Sequence, residues 1–174
     1  MSATPILPLP REIEADSRCE AIRARLTTGE RRTPVGAGAT VPVLPFRTSL
    51  AHALGAARHA GQLVLGMAAA TDALASEERG LAVLARRAGT ARATRISRLL
   101  LLSEGGAAPL NRQAERLTAL HAPRVLLALL ACDPATLGLA TTGRPAAVKV
   151  VLVRHKDAVA ALLRALVAEE RPAV

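Results

Sequence analysis

From Ser49 onward, short apolar runs bounded by glycine or proline alternate with amphipathic stretches, and this alternation constrains the fold more than any other feature. Ala147–Val153, with its VKVVLV core, is rich in β-branched residues and reads as a strand. Arg98–Ser103 (RLLLLS), bounded by Gly105 and Gly106, reads as a second, and Gln62–Leu65 and Val125–Leu130 as two more. Between them lie helix signals. Thr48 or Ser49 caps a stretch running to Ala60, which Gly61 ends. Gly66 turns the chain into an Ala-rich helix over Met67–Ser76. Pro109 suits the first turn of a helix ending near His121. Asp133–Pro134 starts another that Gly143 stops, and Asp157–Ala168 repeats Val159, Leu162, Leu163 and Leu166 on one face. Residues 77–94 are open between helix and strand.

Strands apolar along their whole length need cover on both faces. The expectation is an α/β fold, a three-layer α-β-α sandwich with a central sheet of about four strands. At 174 residues the chain fits one such domain. Residues 48–174 carry it. Residues 1–47 are interrupted by Pro5, Pro8, Pro10, Pro34, Pro42 and Pro45. They read as a partly disordered arm, mostly extended, with one short helix in Glu12–Leu26.

Composition narrows the chemistry. The chain is 51% hydrophobic but only 1% aromatic, with Phe46 alone, so the core is built from Leu, Val and Ala. Single-strand binding by aromatic stacking is excluded on the same ground. The net charge is +9, and Lys149 and Lys156 are the only lysines among 23 basic residues. Such an excess bears on partners rather than fold, and the planar fork of arginine suits phosphate. Cys19 and Cys132 are far apart, and His52, His59, His121 and His155 are scattered without zinc-ligand spacing, so no metal or cofactor is expected. Cys132 reads as a small buried thiol, and no carboxylates are spaced for acid–base work. Gly138–Pro145 (GLATTGRP) has the glycine spacing of a phosphate-binding P-loop, but Arg144 and Pro145 stand where Lys and Ser or Thr belong. No catalytic residues are predicted. The opening MSATPILPLPRE lacks a basic n-region, and no apolar run is long enough to span a bilayer. The expected setting is the cytoplasm, with no membrane partner.

Two basic features carry the functional reading. LGAARHAGQLVLG (Leu54–Gly66) is a helix, a glycine turn, a strand and a second glycine at a helix start, with Arg58 upstream. Backbone amides at a helix N-terminus favour phosphate. The segment resembles the kink-turn RNA-binding ribosomal protein family and its short bacterial relatives, through Leu54, Gly55, Ala57, Arg58, Ala60, Gly61, Val64 and Gly66. RLLLLSEGGA is similar to that family's central strand and turn, Leu137, Gly138 and Gly143 to its LG-containing loop, and AAVKVVLVRHKDAVAALL to its closing strand and helix. The resemblance covers about residues 49–168. It implies an α-β-α sandwich that binds RNA through the glycine turn, here Gly66 and Met67, and through a second loop holding Leu137, Gly138, Thr141 and Thr142. Met67, Ala68 and Ala69 stand where the family has polar base-reading residues, which leaves shape and phosphate contacts. A second register, with LAVLARRAG (Leu81–Gly89) as the central strand, stays open.

The other feature is ARRAGTARATRISR (Ala85–Arg98), with Arg86, Arg87, Arg92, Arg95 and Arg98 and no acid between Glu78 and Glu104. If Arg92–Arg98 is helical, Arg92, Arg95 and Arg98 form a stripe that neutralises several phosphates. The expectation is a non-catalytic bacterial protein for structured RNA, ribosome-associated or within a ribonucleoprotein complex. Two alternatives remain: a helical accessory subunit like the small subunit of a CRISPR surveillance complex, with Ile96–His121 as two packed helices, and a small protein-interaction domain without a nucleic-acid ligand.

Overall fold

The computed structural model describes residues 6–91 and 94–168. In chain order the elements are α1 (Arg11–Glu14), α2 (Cys19–Thr27), β1 (Arg31–Arg32), β2 (Val41–Pro45), α3 (Thr48–His59), β3 (Leu63–Leu65) and α4 (Met67–Ala88). There follow β4 (Arg98–Leu102), α5 (Ala108–Leu120), β5 (Val125–Ala131), α6 (Pro134–Thr142), β6 (Val150–Val153) and α7 (Lys156–Ala165). The strands form one open sheet in the order β1-β2-β5-β4-β6-β3. β2, β5 and β4 run parallel, while β6 is antiparallel to both of its neighbours, β4 and β3.

The sheet is covered on both faces, as expected of wholly apolar strands. On one face Leu50 and Leu54 of α3, Leu137 of α6, and Val159 and Leu163 of α7 pack against Leu99, Leu101, Leu130, Val151 and Val153. On the other, Met67, Ala70 and Leu74 of α4 and Ala114 and Leu117 of α5 meet Leu100, Leu102, Leu127, Leu129, Val150 and Leu152. Successive strand residues point to opposite faces, so runs of leucine serve both layers. Phe46 is only partly buried, so no aromatic residue belongs to the fully buried core.

Two expectations are corrected. The sheet has six strands rather than four, and the additional pair, β1 and β2, comes from the segment expected as an arm. That segment also buries Leu9, Ile13, Ile22, Leu26 and Leu44. Pro42 and Pro45 made VPVLP look like a breaker. Pro45 is tolerated because the two-residue β1 leaves that end of β2 without a partner on its outer side, and Pro42, opposite Arg31 of β1, precedes the residues of β2 that pair with β5.

The ambiguous stretch after Ser76 is helical: α4 runs 22 residues, to Ala88. At 1.5 Å per residue it is about 33 Å long, against about 17 Å for a five-residue strand. It starts beside Val150, whose carbonyl accepts from Gly66 N at 2.9 Å. By Glu77 it has reached Arg98 at the opposite edge of the sheet, so its last three turns project past that edge. There Leu81, Val83 and Leu84 are exposed. The register with Leu81–Gly89 as a strand therefore fails, and so does the all-helical reading of Ile96–His121, because Arg98–Leu102 is the central strand.

Candidate functional site

Three arginines abut strand ends. Arg98 opens β4, Arg124 immediately precedes β5, and Arg154 immediately follows β6. Because β6 runs against β4 and β5, all three stand at one edge, the amino edge of β4 and β5. They converge on a single carboxylate. Arg98 Nε donates to Glu77 Oε2 at 2.9 Å, Arg124 Nη2 lies 3.5 Å from the same oxygen, and Arg154 Nε lies 3.9 Å from Oε1. Arg98 Nη1 also donates to the Ser97 carbonyl.

Arg124 is the unusual member. Its side chain is 8% exposed, and neither its Nε nor its Nη2 makes a hydrogen bond. A buried donor left unpaired is costly, more so when charged. Arg124 and Arg98 form part of the wall of a pocket of about 290 Å³, with Glu77, Gly80, Leu81, Leu84 and Ser97. The overhanging turns of α4 supply its apolar side.

The residues expected to form the interface are dispersed. Gly66 (φ 89°) is the exposed N-cap of α4, at the opposite edge of the sheet, and Met67 behind it is buried. Arg58 lies in the α3 layer against Gly143 at the end of α6, where a Cβ on that glycine would collide with its guanidinium. Arg86 and Arg87 are exposed on the last turn of α4, in the other layer. Arg95 and Arg98 form no helical stripe, since 94–97 is irregular and Arg98 belongs to β4. Arg95 donates to the Leu9 carbonyl and stands 3.6 Å from Glu14. Arg92 lies outside the described residues.

The second contact loop is corrected to a helix. Leu137, Gly138, Thr141 and Thr142 all lie within α6, and the first three are buried. Asp133 caps that helix by accepting from Thr136 N at 2.6 Å, and the hydroxyls of Thr141 and Thr142 donate back to the carbonyls of Leu137 and Gly138. Both hydroxyls are engaged within the helix.

No protein-family model matches this chain. Nor does any curated protein match it.

Among the described residues no group of three or more His, Cys, Asp or Glu is placed to hold a metal ion, and no helix is long and apolar enough to cross a membrane. Burial pushes the Cys132 thiol up to about 12, helped by Asp133 and Glu104 nearby, so it is protonated at neutral pH. The arginines that converge on Glu77 were only half visible in sequence. Arg98 stood out in a basic run, but Arg124 is isolated and Arg154 belongs to the short cluster Arg154–Lys156. Their common signal is position, each touching the end of an apolar run, and it becomes readable only once strand direction is known.

Proposed function

We propose that this protein is a non-catalytic RNA-binding protein that holds structured RNA by its phosphates at the amino edge of the sheet. One observation carries the reading: residues 79–103 contain no acid, and they place Arg79, Arg86 and Arg87 exposed on the overhang of α4, above Arg95 and Arg98, which pair with Glu14 and Glu77 at the sheet edge below it. Arg154 joins them from β6. Guanidinium groups with few competing carboxylates are the electrostatic footprint of a polyanion partner. With a single aromatic residue in the chain, binding relies on backbone and shape rather than base stacking. The choice of RNA follows from the resemblance of Leu54–Gly66 and its downstream segments. Relative to the sequence-based expectation, the surface moves from Gly66 and the α6 residues to the opposite edge.

The test is fluorescence anisotropy with a structured RNA hairpin, on the native chain and on a variant carrying Arg86→Glu, Arg87→Glu and Arg154→Glu. These side chains are exposed, so the fold should survive, as a melting curve will show. The expected result is at least a tenfold loss of affinity. Equal affinity in both proteins would overturn the assignment of this surface.

A further inference from the structure

The geometry points to a terminal phosphate site: the pocket between Arg98, Arg124 and the overhang of α4 binds a phosphate monoester, the 5′-phosphate end of an RNA or the phosphate of a small metabolite. This deepens the reading above and rests on the same surface.

The argument starts from charge. Arg98 and Arg124 line the pocket with Glu77, and Arg154, outside that lining but 3.9 Å from Glu77, brings the cluster to two positive charges in excess. A monoester carries nearly two negative charges at neutral pH, whereas an internal phosphodiester carries one. The monoester is therefore the better electrostatic match. Donor geometry points the same way. Arg124 is more than nine-tenths buried and its Nε and Nη2 make no hydrogen bond, although Glu77 lies 3.5 Å from Nη2. Guanidinium groups bind phosphate oxygens in pairs of parallel hydrogen bonds, shorter and stronger than neutral ones.

The enclosure selects for an end. At about 290 Å³ the pocket is at the lower limit of small-ligand sites, which span roughly 300–1,000 Å³. Leu81 and Leu84 supply an apolar side. A chain end brings its phosphate into a pocket of this size with chain on one side only, whereas an internal phosphate brings chain on both.

The experiment compares two RNA hairpins of one sequence, with a 5′-phosphate or a 5′-hydroxyl, by anisotropy at one salt concentration. We expect the phosphorylated hairpin to bind at least tenfold more tightly, and Arg154→Gln, which removes the half-exposed guanidinium 3.9 Å from Glu77, to shrink that ratio towards one. Glu77→Gln serves as the second variant. It removes the competing carboxylate and should enlarge the gain in melting temperature that adenosine 5′-monophosphate confers. Equal affinity for the two hairpins overturns the inference and leaves RNA binding standing. If neither hairpin binds, RNA binding falls and adenosine 5′-monophosphate decides the pocket. A higher melting temperature in the native protein that is lost in Arg154→Gln supports a phosphorylated metabolite, and no change overturns the inference.

Discussion

Arg164 of α7 donates from Nε to Oδ2 of Asp16 at 2.8 Å, joining residues 148 positions apart in the chain. The same carboxylate accepts from Arg18 through its backbone N and its guanidinium. These hydrogen bonds, Arg18 foremost and Arg164 next, hold the Asp16 carboxyl far below its ordinary value of 3.8. A lowered pKa in the folded state means that the contribution to stability is present above the ordinary value and is lost as pH falls below it. The melting temperature should therefore drop between about pH 4 and pH 2, and Asp16→Asn should show a shallower drop over that range. Parallel acid limbs in the two proteins, measured by circular dichroism, would contradict the assignment.

The linkage matters because it fastens the amino-terminal segment to the last helix. Ile22 and Leu44 from that segment are 0% and 2% exposed in the main core. Ile22→Ala or Leu44→Ala should each lower stability by about 2–5 kcal/mol, the usual cost of truncating a buried aliphatic side chain. Urea unfolding checks this. A loss below about 0.5 kcal/mol in both would mean that residues 6–47 are a loosely attached arm.

The strands after Ser49 were legible because each is a compact apolar run with a glycine, a proline or a charge at its ends. RLLLLS and VKVVLV needed no tertiary information. β2 was illegible because the prolines in VPVLP are disfavoured in central strands, and only the pairing excuses them, since Pro42 precedes the pairing with β5 and Pro45 lies beyond β1. The length of α4 was hidden for another reason. Its second half carries Leu81, Val83 and Leu84 close together, an apolar run that reads equally as a strand, and the fold leaves them exposed rather than packed. For the site, residue type was readable but place was not. Leu137 and Gly138 matched a loop motif while Asp133 and Pro134 already announced a helix through the same residues. The local capping signal proved the better guide.

Two helical glycines make a paired prediction. A Cβ on Gly138 would overlap the carbonyl oxygen of Ala146, where the chain returns along α6, whereas a Cβ on Gly55 in α3 meets nothing within 4 Å. Gly55→Ala should stabilise by about 0.5–1 kcal/mol through helix propensity. Gly138→Ala should destabilise by about 1–3 kcal/mol, because backbone must shift. Thermal unfolding of the two variants should give shifts of opposite sign, and shifts of the same sign would refute the close approach at Gly138.

Both thiols are buried, and that of Cys132 is raised to about 12. Since the thiolate is the reactive form, Cys132 should resist alkylation at pH 8 in the folded protein. Iodoacetamide labelling followed by peptide mass spectrometry should find it modified only after denaturant is added. Rapid native labelling would show that β5 ends in a more open environment than the 8% exposure of Cys132 implies.

The overhang of α4 makes the last prediction, and it concerns salt rather than affinity alone. Arg86 and Arg87 are exposed and lie where few acids compete, so each is suited to neutralise one phosphate. Binding then releases condensed counterions, and the logarithm of the affinity falls linearly with the logarithm of salt concentration. Each lost phosphate contact reduces that slope by about 0.7–0.9. Arg86→Gln with Arg87→Gln should therefore flatten the slope by about 1.4–1.8 and weaken binding more at low salt than at high salt. A uniform loss at every salt concentration would place these side chains in a structural role, and an unchanged line would place the RNA elsewhere on the molecule.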